Sequence, residues 1–498
     1  MQHRTRRAPA ILIMIAGVVA AQPNPIPIPQ QTGARAVPAF IGAPAVPRPI
    51  AAPVIPQNPF MASGEWSNIH NDSYMSDTYF TGGPLGHSPE VLSSFLGTQT
   101  APGLVVVVAF DSQGLLIAAS VLSDRASGVA QVRLVLIDQA TLATRAVLRL
   151  PREAMTVARN FRPAGSYFYL DHLGRIIVGT CERTIWVISH TTTAFSHDET
   201  WDLTSIIPPD DSIQALQPDW NGRIWFTTKG GVVGTLDASG NLLGTVRLSG
   251  ERIANSHAAD ESGGVFIASI HAMYRFDADA SGKPVITWRE PYDAGTHVKA
   301  GQVDIGTGTT PTLMGTGYVT ITDNADPRMH VLVYRRAKQV AGPRLVCAEP
   351  VFQPGNSSTE NSLVATDRSI IVENNFGYKT PNDTENGRTT KPGITRIDVD
   401  ASGCRTVWTN EQENIPTVVT KMSVANGLIY TYTKPQGPAN TDAWYFTAID
   451  FETGLTAFKQ LTGTGALFNN HYAGLYLGRD GTAYVGVGGG IVAIRDRR

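Results

Sequence analysis

A four-residue polar turn recurs inside apolar stretches of this chain, and it limits the folds open to the chain more than any other feature. Asp is first and Gly fourth in its clearest copies, at 111–114, 171–174, 219–222 and 260–263. Looser versions follow at 315–317, 367–369, 425–427 and 479–481. An Asp carboxylate can accept backbone N–H groups two residues further on, and Gly tolerates the left-handed conformation that follows. These aspartates are therefore predicted to be structural rather than catalytic.

A second kind of turn alternates with the first. It follows an apolar strand that ends in Asp, and small residues continue it, at 138–141, 237–240, 277–282, 398–403 and 450–454. Successive members of each series lie roughly 40 to 64 residues apart, which is the spacing of blades in a β-propeller. Apolar residues make up 42% of the sequence and charged residues 16%, and no long amphipathic helical pattern lies between the turns. The pattern therefore predicts an all-β fold, a β-propeller of four-stranded blades.

The repeats divide the chain beyond residue 103 into eight units. Their ranges are 104–150, 166–205, 213–250, 252–291, 298–349, 358–411, 416–463 and 468–498. The last unit stops where its outer strand should begin, whereas residues 89–97 resemble the outer strands of other units. We therefore predict eight blades, with the N-terminal strand completing the last one and protecting both sheet edges. A seven-bladed ring is the alternative if the weakly marked first or fifth unit is irregular.

The sequence before the repeats has two distinct parts. Residues 1–21 combine a positive start, a short apolar stretch and small residues before Gln22, which predicts a cleaved signal peptide. The apolar stretch is too short to span a bilayer, so we expect a secreted or periplasmic protein without a transmembrane segment in the mature chain. Residues 22–60 are rich in proline and are predicted to form a disordered or semi-rigid linker. A single propeller domain is predicted over 61–498, and its polar segment 66–86 is either a disordered leader or a stretch that docks across the ring.

Charge and cysteine content argue against several functions. The formal charge is −2 without a basic cluster, so nucleic acid is not expected as a partner. The cysteines, Cys181, Cys347 and Cys404, form no CxxC or CxxCH motif, so neither a thioredoxin-type site nor attached haem is indicated. An oxidising compartment permits a Cys347–Cys404 disulfide, but we do not expect it, because both residues are predicted on outer strands that diverge at the rim.

The repeat signature resembles that of pyrroloquinoline-quinone-type propellers, a group that includes quinoprotein alcohol dehydrogenases and the outer-membrane assembly protein BamB. The resemblance lies in an apolar strand ending in Asp, a small turn and an apolar outer strand, at 232–248, 394–410 and 445–461. It covers most of residues 88–498 and implies the architecture. The repeated tryptophan motif and the adjacent cysteine pair of the quinoprotein enzymes are missing, so the resemblance does not imply the quinone cofactor.

Candidate binding residues lie in the segments that lead into the predicted inner strands. In a propeller these segments approach the central channel from separate blades, so their side chains would face one axis. The set consists of Gln214, His257, His297, Glu360, Asn361, Lys421, Asn470 and His471. Such groups suit a polar ligand or, through His257, His471 and Glu360, a divalent metal ion. Alternatively, they satisfy buried backbone groups or hold water.

Two functions remain open from the sequence. A long polar insertion at 374–393, between the second and third strands of the sixth unit, is either a lid over the channel or a mobile excursion. A strong scaffold signal without a complete catalytic motif favours an exported propeller that binds a small polar ligand or another exported protein at its central face. The alternative is an enzyme with a central-channel active site, either a metal-dependent hydrolase or lactonase or a quinoprotein-like oxidoreductase. No catalytic residue is assigned, and of the cofactors a divalent metal fits these side chains, whereas pyrroloquinoline quinone is not expected.

Overall fold

A computed structural model describes residues 24–124, 127–154 and 163–497 of the chain. Within these residues, eight antiparallel sheets form the blades of a propeller ring, and no α-helix is present. The predicted fold class and blade count are confirmed. The signal peptide predicted at 1–21 lies outside the described residues, and inside them no helix is long and apolar enough to cross a membrane.

In each blade the strands run in chain order from the hub to the rim. The strands of blades 1 to 4 are β4 Gly103–Phe110, β5 Leu115–Asp124, β6 Val129–Asp138 and β7 Thr144–Ala154; β8 Phe168–Leu170, β9 Ile176–Gly179, β10 Thr184–His190 and β11 Phe195–Asp202; β12 Ile213–Pro218, β13 Ile224–Thr228, β14 Val232–Leu236 and β15 Leu242–Arg247; β16 Ala258–Ala259, β17 Val265–Ala268, β18 Ala272–Ala278 and β19 Pro284–Pro291.

Blades 5 to 8 follow the same plan, and blade 7 has two extra strands. The strands are β20 Thr312–Met314, β21 Tyr318–Thr322, β22 His330–Arg335 and β23 Leu345–Pro350; β24 Val364–Ala365, β25 Ser369–Glu373, β26 Ile394–Asp400 and β27 Gly403–Asn410; β28 Lys421–Ser423, β29 Leu428–Thr433, β30 Ala443–Asp450 and β31 Thr456–Thr464, with β1 Phe40–Gly42 outside and β2 Thr78–Tyr79 inside; and β32 Leu475–Leu477, β33 Ala483–Val487, β34 Gly490–Asp496 and β3 Pro89–Phe95. Two short 3-10 helices, Pro381–Thr384 and Ala466–Phe468, complete the elements of the described residues.

The N-terminal strand closes the ring as predicted. Strand β3 pairs antiparallel with β34, with Val91 opposite Ile494 and Phe95 opposite Gly490. Blade 8 is therefore built from both ends of the chain, so its outer strand is paired and the ring is locked. Between blades 8 and 1, the rings of Phe110 and Tyr484 lie 5.7 Å apart, and apolar clusters of this kind fill the space between neighbouring blades.

The recurring polar turns have the predicted geometry. In the first copy, Oδ1 of Asp111 accepts the N–H groups of Gln113 and Leu115, both at 2.8 Å. Gly114 has a φ of 83°, a conformation that favours glycine. Asp171, Asp219 and Asp260 accept the same two hydrogen bonds, from the residues two and four positions on. In every clear copy of the turn, the Asp carboxylate thus has a structural role, because it accepts the backbone N–H groups that shape the turn.

The proline-rich segment, for which the composition predicts a disordered or semi-rigid linker, follows the surface of the ring. Strand β1 pairs with β31, and the side chain of Ile28 is buried against the main core cluster. Further along, the N–H of Gln31 donates to the carbonyl of Thr464 (2.9 Å), and that of Arg48 donates to the carbonyl of Asn426 (2.8 Å). Residues between the prolines keep their N–H groups, and these groups provide the attachment to blade 7 that proline itself cannot make.

Cys347 on β23 and Cys404 on β27 form a disulfide between the outer strands of blades 5 and 6, with Cα atoms 5.8 Å apart. The expectation that these strands diverge too far for a disulfide is wrong. The two strands lie side by side, because Oε1 of Glu349 also accepts the N–H of Thr406 across the same boundary (3.1 Å). Cys181 is a free thiol.

Candidate functional site: a hub plugged from one end

Residues 66–79, here called the plug, enter the hub and form hydrogen bonds with all eight blades. Backbone carbonyls of the plug accept N–H groups from the inner strands of six blades, at Phe110, Leu170, Ala259, Leu313, Ala365 and Met422, over 2.8–3.1 Å. Blade 3 contributes the Gln217 amide, which donates to the carbonyl of Ser73 (3.0 Å). In blade 8, the carbonyl of Leu477 accepts the Trp66 indole N–H (2.7 Å). The segment that the sequence left as leader or docked stretch is thus docked.

The plug closes the end of the hub at which the inner strands finish. The blade residues that bind it lie at or near the last positions of those strands. A second segment, residues 50–58, here called the strap, crosses the same face. The N–H of Ile50 donates to the carbonyl of Val424 in blade 7 (2.9 Å), and the Asn58 amide donates to the carbonyl of Pro218 in blade 3 (2.9 Å). Since blades 3 and 7 are opposite in an eight-membered ring, the strap spans the diameter of the hub.

A buried ion cluster fixes the plug to blade 7. The ammonium group of Lys421 contacts the carboxylate of Asp77, and neither side chain is exposed. Lys421 also donates to the carbonyl of Ile69 (2.6 Å), and the same carboxylate lies 2.9 Å from Nδ1 of His70. Burial lowers the pKa of Lys421, while the Asp77 carboxylate opposes this shift. The predicted site residue Lys421 is therefore in the hub, where its charge is paired with the plug.

The other nitrogen of the His70 ring contacts hydroxyl groups from two blades, and a third blade joins through one of these hydroxyls. Nε2 lies 3.3 Å from Oγ1 of Thr310 in blade 5 and 3.4 Å from Oγ of Ser362 in blade 6. The Thr310 hydroxyl is in turn 3.2 Å from Oγ of Ser256 in blade 4. All four side chains are buried, and the three hydroxyl residues lie where the chain approaches its inner strands. His70 thus joins the plug to the upper hub, the part nearer the starts of the inner strands.

A buried carboxyl group lies in the neighbouring part of the hub. Oε1 of Glu373 accepts the side-chain amides of Asn361 (2.8 Å) and Asn375 (3.1 Å), and Oε2 accepts the Thr420 hydroxyl. Burial raises the pKa of Glu373 to about 7, while these donors act in the opposite direction. The predicted residue Asn361 is thus engaged with a carboxyl group that the sequence did not single out.

Two predicted residues carry buried polar atoms without protein partners. Both ring nitrogens of His257 are unpartnered among the described residues, and its burial lowers the pKa to about 3, so the ring is neutral. The amide of Asn470 donates to the carbonyl of Gly486 (2.7 Å), whereas its Oδ1 accepts nothing from the described chain. Gln214 differs from them, because its amide donates to the carbonyl of Ala254 (2.7 Å) and joins blades 3 and 4. Orphaned polar atoms of this kind indicate bound water or ligand.

The predicted metal set is not assembled. Among the described residues, no three His, Cys, Asp or Glu side chains stand close enough to hold a metal ion. Glu360 accepts the N–H of Val303 (3.0 Å), and His471 faces the hydroxyl of Tyr378 (2.9 Å). Most of the His297 side chain is exposed, and its Nδ1 lies 3.8 Å from the Asp326 carboxylate. Local contacts thus separate side chains that a shared axis was expected to bring together.

His471 and its neighbour Tyr472 have an unusual backbone at the entry to blade 8. Their φ angles are 47° and 64°, and two consecutive bulky residues in this region cost on the order of 1–2 kcal/mol each. The N–H of His471 donates to Oδ1 of Asn469 (2.8 Å), and that of Tyr472 donates to Oγ1 of Thr417 (2.8 Å). Both side chains remain partly exposed. The surrounding structure therefore holds the backbone of both residues in a strained conformation and places their rings at the edge of the hub.

The insertion at 374–393 is a fixed cover over blades 7 and 8. Its Tyr378 is buried and donates to Oδ1 of Asn469 (2.9 Å), while the Asn469 amide donates to Thr384 (2.9 Å). On blade 7, the carboxylate of Asp442 accepts the N–H of Gly387 (2.7 Å). These contacts pack the insertion, predicted as a lid over the channel or a mobile excursion, against blades 7 and 8.

The sequence interpretation missed the residues that organise the hub, namely His70, Thr310, Ser362 and Glu373. A signal for His70 was present, because polar and aromatic residues crowd between Trp66 and Gly86 in an otherwise sparse leader. Thr310 and Ser362 are single polar residues just before short inner strands, Glu373 ends the second strand of blade 6, and no spacing along the chain links them. They become recognisable only when the ring brings separate blades together.

No protein-family model matches this chain. An uncharacterized protein of Archaeoglobus fulgidus is 27% identical over 327 residues, which cover 57% of this chain; the chain thus spans about three fifths (61%) of that relative's length. BamB from Moraxella catarrhalis aligns with a TM-score of 0.41 and 12% identity over 65% of this chain and 80% of BamB. Streptogramin B lyase aligns with a TM-score of 0.41 and 12% identity over 82% of this chain and 97% of the lyase. The resemblance to BamB-like propellers holds for the architecture alone, which the eight sheets establish by themselves.

Proposed function

We propose that this chain is an exported binding protein whose upper hub holds a small, uncharged polar ligand. The main support is a buried hydroxyl network that links blades 4, 5 and 6 in the hub. Thr310 and Ser362 contact Nε2 of His70 directly, and Ser256 joins through the Thr310 hydroxyl. The hydroxyl residues come from three separate repeats, so the arrangement is a product of the closed ring. Because the plug and the strap cover the opposite face, a ligand would enter from the side at which the inner strands begin.

An uncharged ligand fits this hub better than an ion does. Lys421 is already paired with Asp77, and His257 is neutral because burial lowers its pKa. The Glu373 carboxyl accepts hydrogen bonds from three neighbouring side chains, and Glu360 accepts the N–H of Val303. The other groups are hydroxyls, amides and imidazoles, which can both donate and accept hydrogen bonds. The orphaned Oδ1 of Asn470 and the two orphaned nitrogens of His257 add unused capacity of the same kind. A sugar or another polyol, which carries several hydroxyl groups and no charge, has the complementary chemistry.

Partly exposed rings near the hub entrance suit the same class of ligand. Tyr167 precedes the inner strand of blade 2, and His471 and Tyr472 precede that of blade 8. Rings with an apolar body and a polar edge can cover the C–H face of a sugar while its hydroxyls reach the hub. The strained backbone at 471–472 is consistent with this role, since such strain is concentrated at binding sites.

Calorimetric titration with glucose, myo-inositol and trehalose tests the proposal. We expect at least one of them to bind the wild type with a Kd in the millimolar range or tighter, and Thr310→Val and Ser362→Ala to weaken it about tenfold, or roughly 1.4 kcal/mol. Thr193→Val, an equivalent change on an exposed turn of blade 2, is the control. Binding of none of the three, or equal binding by the hub variants with intact circular dichroism spectra, would contradict the proposal.

A hydrolase is the second candidate, because three hub groups stand in the order carboxylate, base and hydroxyl. Asp77 lies 2.9 Å from Nδ1 of His70, whose Nε2 lies 3.4 Å from Oγ of Ser362. The hydroxyl of Ser362 also accepts the N–H of Thr310 (3.1 Å), which holds it in the hub. A fluorophosphonate probe should then label Ser362 in the wild type and leave Ser362→Ala unlabelled. A wild type that is not labelled, beside a serine hydrolase that is, would remove this candidate.

A further inference from the structure

A separate cavity of about 270 Å³ lies on the opposite face of the ring, between the strap and the plug, and it is partly open to solvent. At roughly 30 Å³ per water molecule, it has room for about nine waters or one small organic molecule. Its apolar wall consists of Val54, Ile55, Pro56, Met61, Trp66 and Phe80. Its polar wall includes Glu65, Asp72, Ser73 and Thr81. An apolar chamber with a few polar groups on one side is the usual composition of a small-molecule site.

Several oxygens on the polar wall lack hydrogen-bond partners among the described residues. The hydroxyl of Ser73 makes no hydrogen bond, although the residue is only 2% exposed. Glu65 accepts the N–H of Phe80 at Oε1 (2.6 Å), whereas its Oε2 accepts no hydrogen bond of normal geometry. The hydroxyl of Thr81 is also buried and unpartnered. Leaving a buried polar group unpaired is costly, so three of them at one cavity indicate an occupant.

The charged groups around this cavity favour a cation over an anion. Burial raises the pKa of Glu65 and of Asp72 to about 7, and each carboxyl is bordered by another acidic group. Arg479 is a cation near Glu65, and its guanidinium stacks on the Trp66 ring, 3.8 Å from the ring centre. The backbone N–H groups of Phe80 and Thr81 also lower the pKa of Glu65, and Asp77 raises that of Asp72.

We propose that this cavity binds a small organic ammonium ion, that is, a primary amine carried on an apolar body. The ammonium group donates three hydrogen bonds, which match the free oxygens of Glu65, Ser73 and Thr81. The apolar body lies against Trp66 and Phe80, whose ring faces attract a cation and bury hydrocarbon. A carboxylate ligand would face like charge, and a neutral alcohol would lack the charge-assisted hydrogen bond to Glu65. The site is on the other face from the hub hydroxyls, so it is independent of the function proposed above.

Titration of the intact chain with benzylamine, benzyl alcohol and benzoate at pH 8 is the direct test. Benzylamine, which is protonated at this pH, should bind at least tenfold more tightly than benzyl alcohol, and benzoate should not bind. Glu65→Gln and Ser73→Ala should each weaken benzylamine at least tenfold, while Glu182→Gln, a matched change on an exposed turn, should leave it unchanged. Ser73→Ala removes a hydroxyl without a partner, so it should not impair folding.

A second readout separates specific ion pairing from hydrophobic binding. At pH 6.5, below the raised pKa of Glu65, binding of the ammonium ion should drive a proton from the Glu65 carboxyl into the buffer, so the observed heat should differ between phosphate and imidazole buffers. Glu65→Gln should reduce this difference to the part that Asp72 contributes, since the pKa of Asp72 is also raised to about 7, whereas a purely apolar site would show none in either protein. Equal affinity for benzylamine and benzyl alcohol, or wild-type affinity in both cavity variants, would overturn the proposal. A failure of benzylamine to bind at concentrations up to roughly 10 mM would also overturn it.

Discussion

The ion pair between Lys421 and Asp77 should be the most sensitive point of the hub. Lys421→Met removes the charge from the blade, Asp77→Asn removes it from the plug, and the double variant removes both. Asn is the appropriate replacement for Asp77, since it tolerates the φ of 55° at this position and can still accept the His70 N–H. Because both side chains are fully buried, each single change leaves an uncompensated charge without access to water.

The size of the effect follows from burial. Removing one partner of a buried pair typically costs about 3–5 kcal/mol, whereas removing both costs far less. We expect the double variant to lose about 1–2 kcal/mol, mainly because the carbonyl of Ile69 loses its donor. With an unfolding entropy of about 2.1 cal/mol/K per residue, a chain of this length has about 1 kcal/mol/K, so each single variant should lower Tm by roughly 3–5 °C.

Differential scanning calorimetry of the four proteins measures this coupling. Lys379→Met, the same substitution at an exposed position of the insertion, serves as the control and should change Tm by less than about 0.5 °C. The double variant should be more stable than either single variant. If instead the two single losses add in the double variant, Lys421 and Asp77 are not coupled, and the plug is not held to blade 7 by this pair.

Three further outcomes are expected. Reduction of the Cys347–Cys404 disulfide, which closes a loop of 57 residues, should lower the free energy of unfolding by about 4 kcal/mol. Denaturant titrations with and without dithiothreitol measure this loss, and Cys181→Ser, which leaves the disulfide intact, should not reproduce it. Burial raises the pKa of Glu373 from an unfolded value near 4.5 to about 7. The stability that its protonated carboxyl contributes is therefore fully present below pH 4.5 and is lost as the pH rises through 7. The free energy of unfolding should fall by about 3 kcal/mol across this window in the wild type, and its pH profile should be flatter in Glu373→Gln. His257→Leu should raise Tm in the absence of ligand, because it removes two unpartnered buried nitrogens; a lower Tm would mean that these nitrogens have a bound partner.

The blades were predictable because their signals are local. The Asp–Gly turns specify where a strand pair reverses, and the missing outer strand after residue 496 pointed to residues 89–97 as its replacement, which the pairing of Val91 with Ile494 confirms. The Cys347–Cys404 disulfide could not be predicted in the same way, because it depends on the distance between two outer strands. That distance is set by how blades 5 and 6 pack, and no turn motif encodes it.

The hub was less predictable because its groups are related only through the axis. Lys421 was expected there, but its partners, the Asp77 carboxylate and the Ile69 carbonyl, come from the leader, more than 340 residues earlier in the chain. His297 shows the converse case: it precedes an inner strand as the other candidates do, yet the loop 292–311 carries it to the surface beside Asp326. The position of a residue ahead of an inner strand therefore predicts that its side chain faces the hub only where the segment that leads into the strand is short.

The N-terminal region gives the ring three attachments that depend on one another. Strand β3 completes blade 8, the plug binds all eight inner strands, and the strap crosses from blade 7 to blade 3. The donors for the plug come together only after the ring has formed, and the contact of Trp66 with Leu477 spans 411 residues. Contacts of such separation form late in folding. The plug should therefore enter a ring that is already closing, and together with the strap it covers one face of the hub.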